Sequence, residues 1–271
     1  MLTQMNRKTA TKLKLVQWSR FQDVTIRLEG SSLFTGVNGS GKSTVLDAVT
    51  YLLTGNTQFN KAAKDRDRTV KGYVRGDTRS TGSTRYLRNG EVVSYIAMEF
   101  YSPVEQDYLV VGVCMESANE ADCKSSWFVC RGAQLEHMNF ARAENGILHI
   151  MPKNQLSVNG RVLKASDFFG RDRGVEQVLR ALGLRCDVAK YRNKLLKMMA
   201  FNPENNIDQF IQDCVLEPGK VDSLQELREQ KRQFEHIRQM YENLKDSKAQ
   251  LETVEQKTLE YEAKQRNLFI R

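Results

Sequence analysis

Apolar side chains recur at every second position through the first 35 residues: Leu13, Leu15 with Val16, then Val24, Ile26 and Leu28, then Leu33 and Phe34. That period predicts short strands with turns between them. At Lys42 the spacing changes. Val45, Leu46, Ala48, Val49, Leu52 and Leu53 recur at helical intervals, which predicts a helix with a broad buried face. Gly55 stands where a helix C-terminal glycine belongs. Residues 56–90 are polar, basic and rich in Thr, Ser and Gly, and predict a long insertion. Residues 91–101, 107–116 and 125–131 are rich in Val, Ile, Tyr, Phe and Trp and predict antiparallel strands. Further strands are predicted at 146–151 and 156–163, the latter around an Asn159–Gly160 turn.

From Gly174 the pattern is helical. Val175, Val178, Leu179 and Leu182 line one face of a helix ended by Gly183. A second helix spans about 187–200 and stops before Asn202–Pro203, and a shorter one covers about 205–216 before Pro218–Gly219. Residues 222–270 contain neither Pro nor Gly and are dense in Glu, Lys, Gln and Arg. Leu227, Phe234, Ile237, Tyr241, Leu244 and Leu251 fit a heptad seam, interrupted by Gln230 and Lys248. One helix over that span would be roughly 73 Å long, which predicts a projecting coiled-coil strand rather than a helix packed on a small body. The expected organisation is therefore a body over 1–219 and the start of a coiled-coil arm over 220–271. Within the body lie an insertion at 56–90, a β-rich region at 91–163 and a helical region at 174–216.

Composition narrows the class. Hydrophobic residues make up 40% of 271, enough for a core, and charged residues make up 27%. No run approaches the roughly 18 consecutive apolar residues of a membrane span. The polar, basic start from Met1 to Lys14 lacks the apolar region of a secretory signal. Cys114, Cys123, Cys130, Cys186 and Cys214 form no CxxC pair and predict reduced thiols of a cytoplasmic protein. His137, His149 and His236 fit no ligand spacing.

The net charge of +8 is unevenly placed. The coiled-coil segment 220–271 is nearly balanced, with 11 basic and 10 acidic side chains. Residues 59–88 hold nine basic side chains (Lys61, Lys64, Arg66, Arg68, Lys71, Arg75, Arg79, Arg85, Arg88) against three acidic ones. Such a stretch suits either a polyanion partner or a solvated loop. On the first reading Lys71, Arg75 and Arg79 are the candidate contacts to DNA phosphates, independent of base sequence.

Gly36-Val37-Asn38-Gly39-Ser40-Gly41-Lys42-Ser43-Thr44 satisfies G-x-x-x-x-G-K-[ST] throughout. The glycines let successive amides turn inward on an anion. Lys42 is placed to reach the β- and γ-phosphates of ATP and Ser43 to hold Mg²⁺, with the helix N-terminus pointing at the same phosphates. Leu33–Thr35 is expected to form the strand that leads into the loop.

Lys14-Leu15-Val16-Gln17-Trp18-Ser19-Arg20-Phe21, the strand Val24–Leu28, and Leu33 through Ala48 together resemble the N-terminal head of SMC-like ABC ATPases, the group of SMC proteins, SbcC and MukB. The stretches Phe59–Ala63 and Lys71–Gly76 look most like the JetC-type subunit of Wadjet anti-plasmid systems. The resemblance spans the chain. It implies an α/β P-loop head lobe with an antiparallel β subdomain and an outgoing coiled-coil helix. It also implies a glutamine loop, for which Gln212 in Phe210-Ile211-Gln212-Asp213 is the candidate, sensing Mg²⁺ and the attacking water; Asp213 replaces the family's usual Gly.

The signature segment and the apolar strand ending in Asp-Glu that such heads need are absent from the 271 residues. In the family both come from a C-terminal head lobe reached by a returning coiled-coil helix. The chain is therefore expected to be the first portion of a longer protein, inactive as an ATPase alone. The implied partners are DNA, a second head in a homodimer, kleisin-like and WHD-type subunits and a toprim-like nuclease, all in the cytoplasm with nucleoid or plasmid DNA and without a membrane. Plasmid defence is the leading function; chromosome condensation or repair, as in MukB or SbcC relatives, is the alternative. A coiled-coil scaffold with a relic nucleotide site is a third possibility, opposed by the intact Lys42 and Ser43.

Overall fold

A computed structural model of the chain describes residues 8–57, 59, 68–78, 85–184, 186–199, 232, 235, 238–240, 242–255 and 257. The chain divides into two units, residues 1–200 and 201–271.

The first unit is organised by one antiparallel sheet. Strands β1 (Thr9–Trp18) and β2 (Phe21–Arg27) form a hairpin. β3 (Val92–Ser102), β4 (Asp107–Ser117) and β5 (Lys124–Arg131) form a meander, and the short β10 (Phe168–Phe169) pairs outside β5. The spatial order is β10-β5-β4-β3-β1-β2. β1 pairs with β3 through Leu13↔Met98 and Leu15↔Ile96, which joins the β1–β2 hairpin to the meander with β2 as the edge strand.

Both faces of the sheet are covered, which explains why β3 and β4 read as nearly continuous apolar runs rather than alternating ones. On one face Leu13, Leu15, Ile96, Met98, Val111, Val113 and Trp127 pack against helices α1 (Lys42–Thr54) and α3 (Arg171–Ala181). On the other, Val16, Tyr95, Val110, Cys114 and Phe128 meet Leu135, Met138, Phe140 and Leu156 from the segment after β5. That segment carries two hairpins, β6 (Ala141–Glu144) with β7 (Ile147–Ile150) and β8 (Ser157–Val158) with β9 (Arg161–Val162). Each turns on an Asn-Gly pair, Asn145–Gly146 and Asn159–Gly160, with positive φ at both residues, the geometry that matches the strand twist in two-residue turns. α3 approaches β5 so closely that a Cβ on Gly174 would lie 2.4 Å from Cβ of Trp127. α4 (Val188–Met199) follows α3.

One expectation is corrected. Leu33–Thr35 forms no strand: no described strand lies alongside it, and a strand needs a pairing partner to satisfy its backbone. Leu33 is 87% exposed. The described parts of 56–90 do not leave the core. Phe59, Tyr73, Val74 and Tyr86 are buried, and α2 (Val70–Arg75), capped by the Thr69 hydroxyl accepting from Gly72 N, packs on the sheet. Their apolar side chains supply burial that the polar composition of the stretch conceals.

In the second unit, the described residues between 232 and 257 are helical. Leu244 and Leu251 are exposed, and Arg238–Glu242 and Lys248–Glu252 are paired one turn apart. The predicted helix at 205–216 and the boundary at 219–220 lie outside the described residues.

Candidate nucleotide-binding site

Gly36–Thr44 forms a solvent-facing loop that ends in the first turn of α1. Gly41 carries φ of 101°, and a Cβ there would lie 2.9 Å from Cζ of Phe21, so only glycine suits the position on either count. Val45 N donates to Gly41 O at 3.0 Å, starting the helix directly from the loop. No side chain caps α1, and its first turn holds no acidic residue. The amides of Lys42, Ser43 and Thr44 meet no acceptor among the described residues. Unsatisfied amides at the positive end of a helix dipole favour an anion.

Lys42 folds back over its own loop, donating from Nζ to Gly36 O at 2.6 Å and Val37 O at 2.9 Å. An ammonium has three donors, so one remains without an acceptor among the described residues. Ser43 is exposed beside it. This donor set fits a polyphosphate: inward amides, one ammonium, and a hydroxyl of the type that ligates Mg²⁺. The bound ion would neutralise phosphate charge; the chain's own part is to bind and orient the phosphates.

The helix behind the loop is held by side-chain donors on three of its carbonyls. Trp18 Nε1 donates to Thr44 O at 3.0 Å, Trp127 Nε1 to Leu52 O at 3.0 Å, and Arg192 Nε to Thr54 O at 2.7 Å. Trp18 stacks on Tyr73 with centroids 4.4 Å apart and lies edge-on to Phe59; Tyr51 bridges to Trp127. Burial raises the Tyr51 hydroxyl to about 12. One face of α1 carries a carboxylate: Asp47 accepts from the Tyr73 hydroxyl and from Arg68 Nη1 at 3.1 Å, and Arg68 also donates to Tyr73 at 3.2 Å. Burial, reinforced by Asp47, raises the Tyr73 hydroxyl well above its ordinary range. The sequence reading missed Asp47, Tyr73 and Arg68 as neighbours of the site. One signal was available: Asp47 is the single acidic residue between Glu29 and Asp65, and it interrupts an apolar helix face.

The candidate DNA contacts are placed differently from one another. Lys71 is half-buried and donates to Glu120 O at 2.7 Å. Arg75 is 1% exposed and is not a surface cation. Its guanidinium donates to Ser117 Oγ, Ser117 O, Arg88 O and Gly90 O at 2.9–3.3 Å, which consumes the fork that a phosphate would need. The reading of Arg75 as a DNA contact is therefore withdrawn. Burial also lowers the Arg88 guanidinium to about 10, where it donates to Val74 O and Ser19 O. Arg79 and Gln212 lie outside the described residues. Among the described residues no helix is long and apolar enough to cross a membrane.

Comparison with curated proteins gives no match to the chain. The family model described as the P-loop containing region of AAA domain matches residues 10–66, which span β1, β2, the loop and α1. That portion of the chain is a P-loop nucleotide-binding region on an α/β fold.

Proposed function

We propose that the chain is the ATP-binding N-terminal part of an SMC-like ATPase head that acts on DNA, of the JetC type in plasmid defence. The observation that carries the nucleotide part is the uncapped head of α1, whose free amides, Lys42 ammonium and Ser43 hydroxyl converge on one exposed loop. The SMC-like part rests on the sequence resemblance of residues 14–48. In this reading the signature segment and catalytic carboxylate come from a C-terminal head lobe, the 222–270 segment is one strand of a coiled coil, and two heads meet over ATP and Mg²⁺. Gln212 then senses the attacking water, and DNA, kleisin-like, WHD-type and toprim-like nuclease subunits are partners.

Isothermal calorimetry of MgATP binding to the chain tests the first part; absence of binding removes it. Steady phosphate release by residues 1–271 alone would contradict the need for a second lobe. A toprim-like nuclease gene beside the coding sequence is expected for plasmid defence, and its absence there would favour chromosome maintenance instead.

A further inference from the structure

Three of four consecutive residues at the end of β1 stand between the phosphate loop and the basic segment, and they hold both. Trp18 donates to Thr44 O and stacks on Tyr73. Ser19 donates its amide to Tyr73 O at 2.7 Å, and its carbonyl accepts from Arg88 Nη2 at 2.8 Å. Phe21 lays its ring against Gly41, leaving no room for even a Cβ. The backbone here is strained: Gln17 and Ser19, on either side of Trp18, have φ of 49° and 51°. Non-glycine residues persist in that region only where their surroundings over-determine them. A second connection runs beside the first, because Tyr73 and Arg68 both bind Asp47, five positions after Lys42 on the same helix.

Filling a core would need only the aromatic bulk of these residues. Instead their polar atoms pair across the gap. Arg88 in particular meets no carboxylate among the described residues and donates to the Ser19 and Val74 carbonyls, so its charge is spent on holding the turn to the segment. Gly41 touches Phe21 and Thr44 is bonded to Trp18, while Ser19 between those two aromatic residues is bonded to Tyr73 and Arg88.

We infer that the turn Gln17–Phe21 couples the phosphate loop to the described residues 68–78 and 85–88 of the basic segment, with Trp18 and Phe21 as positioning residues of the loop and Arg88 as the clamp on residues 73–74. The nucleotide dependence of this coupling rests on the nucleotide-binding reading above. Coupling is reciprocal, so a ligand that draws the loop into one arrangement shifts the segment, and a polyanion that fixes the segment shifts the loop.

Hydrogen exchange of the 271-residue protein with and without MgATP tests it, followed in peptides covering 36–48 and 69–78. In the wild type, MgATP is expected to slow exchange at least threefold in both. Arg88→Gln removes the clamp and is expected to retain the slowing at 36–48 and lose most of it at 69–78; Trp18→Phe keeps an aromatic ring but removes the indole N–H, and is likewise expected to lose most of the slowing at 69–78. A purely structural role would move both peptides together. A 69–78 response that is absent in the wild type while 36–48 responds, or is unchanged in both variants, overturns the coupling. Should MgATP protect neither peptide, the nucleotide reading fails, and the ligand-free proteins decide the coupling. There Arg88→Gln and Tyr73→Phe, compared at equal distance below their melting temperatures, are expected to speed exchange at 36–48 at least threefold. Unchanged rates overturn it.

Discussion

The indole N–H of Trp18 donates to the backbone carbonyl of Thr44 at 3.0 Å, across 26 residues of chain. The last residue of the first strand is thereby bonded to the last residue of the phosphate motif. The loop is open to solvent on its outer side and held on its inner side by contacts from the β1–β2 turn.

Lys42 makes its two hydrogen bonds to the loop's own carbonyls near the surface, so its loss costs the fold little. Replacing it by Ala is expected to weaken ATP binding by at least roughly tenfold, the scale of one charge-assisted hydrogen bond. Calorimetry would show this, with the melting temperature held within a degree or two. Retained affinity in a folded Lys42→Ala protein would falsify the assignment of the loop.

Arg75 and Lys71, four positions apart, are expected to behave oppositely. Arg75→Ala leaves Ser117, Arg88 and Gly90 carbonyls without their donor and opens a cavity, at a cost of about 3–5 kcal/mol in urea unfolding. Lys71→Ala should leave stability within about 0.5 kcal/mol. If the segment binds duplex DNA, the Lys71 variant flattens the log–log salt slope by about one unit. An Arg75→Ala protein as stable as wild type would contradict the buried placement.

At Gly174 the expected effect is steric. A methyl group would overlap the Trp127 side chain at 2.4 Å, an atom near the backbone that cannot swing away. Gly174→Ala is expected to destabilise by about 1–3 kcal/mol, despite the gain in helix propensity, because α3 must lift from β5. Thermal unfolding of the pair would show it, and a rise in melting temperature would mean that the helix has room to shift.

Alkaline pH should unfold the protein by a route set by its thiols. Burial raises Cys114 to about 12 and Cys130 to about 11, from an ordinary 9.0, and Tyr51 to about 12 from 10.0. These folded-state values lie above the unfolded ones, so stability is full below pH 9 and is lost as pH rises toward 12. Over that window the unfolded chain releases protons that the native state keeps. Cys114 alone contributes a slope of up to about 1.4 kcal/mol per pH unit. Urea midpoints at pH 8, 9.5 and 10.5 would follow the decline, and Cys114→Ser or Cys114→Ala should make it shallower. At pH 8 a thiol reagent should modify exposed Cys186 well before buried Cys114 and Cys130.

Much of the site was legible because its chemistry is local. Nine adjacent residues from Gly36 to Thr44 carry the anion-binding geometry, and the periodicity of Val45 to Leu53 announces the helix that completes it. The Asn159–Gly160 hairpin was equally plain, since two residues of positive φ fix the turn by themselves. Gln212 and most of the coiled-coil segment were also read locally, but they fall outside the described residues.

The sequence by itself thus determined what short stretches of chain do: the phosphate loop, the helix after it, and the runs that become β3, β4 and β5. Tertiary structure alone decided what distant residues do to one another. It turned Arg75 inward, because Ser117, 42 residues away, presents acceptors there. It set Asp47 against Tyr73 and Arg68, and Trp18 against Thr44. It left Leu33–Thr35 unpaired, because pairing depends on a neighbour and not on the strand's own residues. The physical reason is common to all of these. Backbone conformation is set by steric preferences of adjacent residues, whereas the burial of a charge or the pairing of a strand is settled only by which groups the finished fold brings within hydrogen-bond reach.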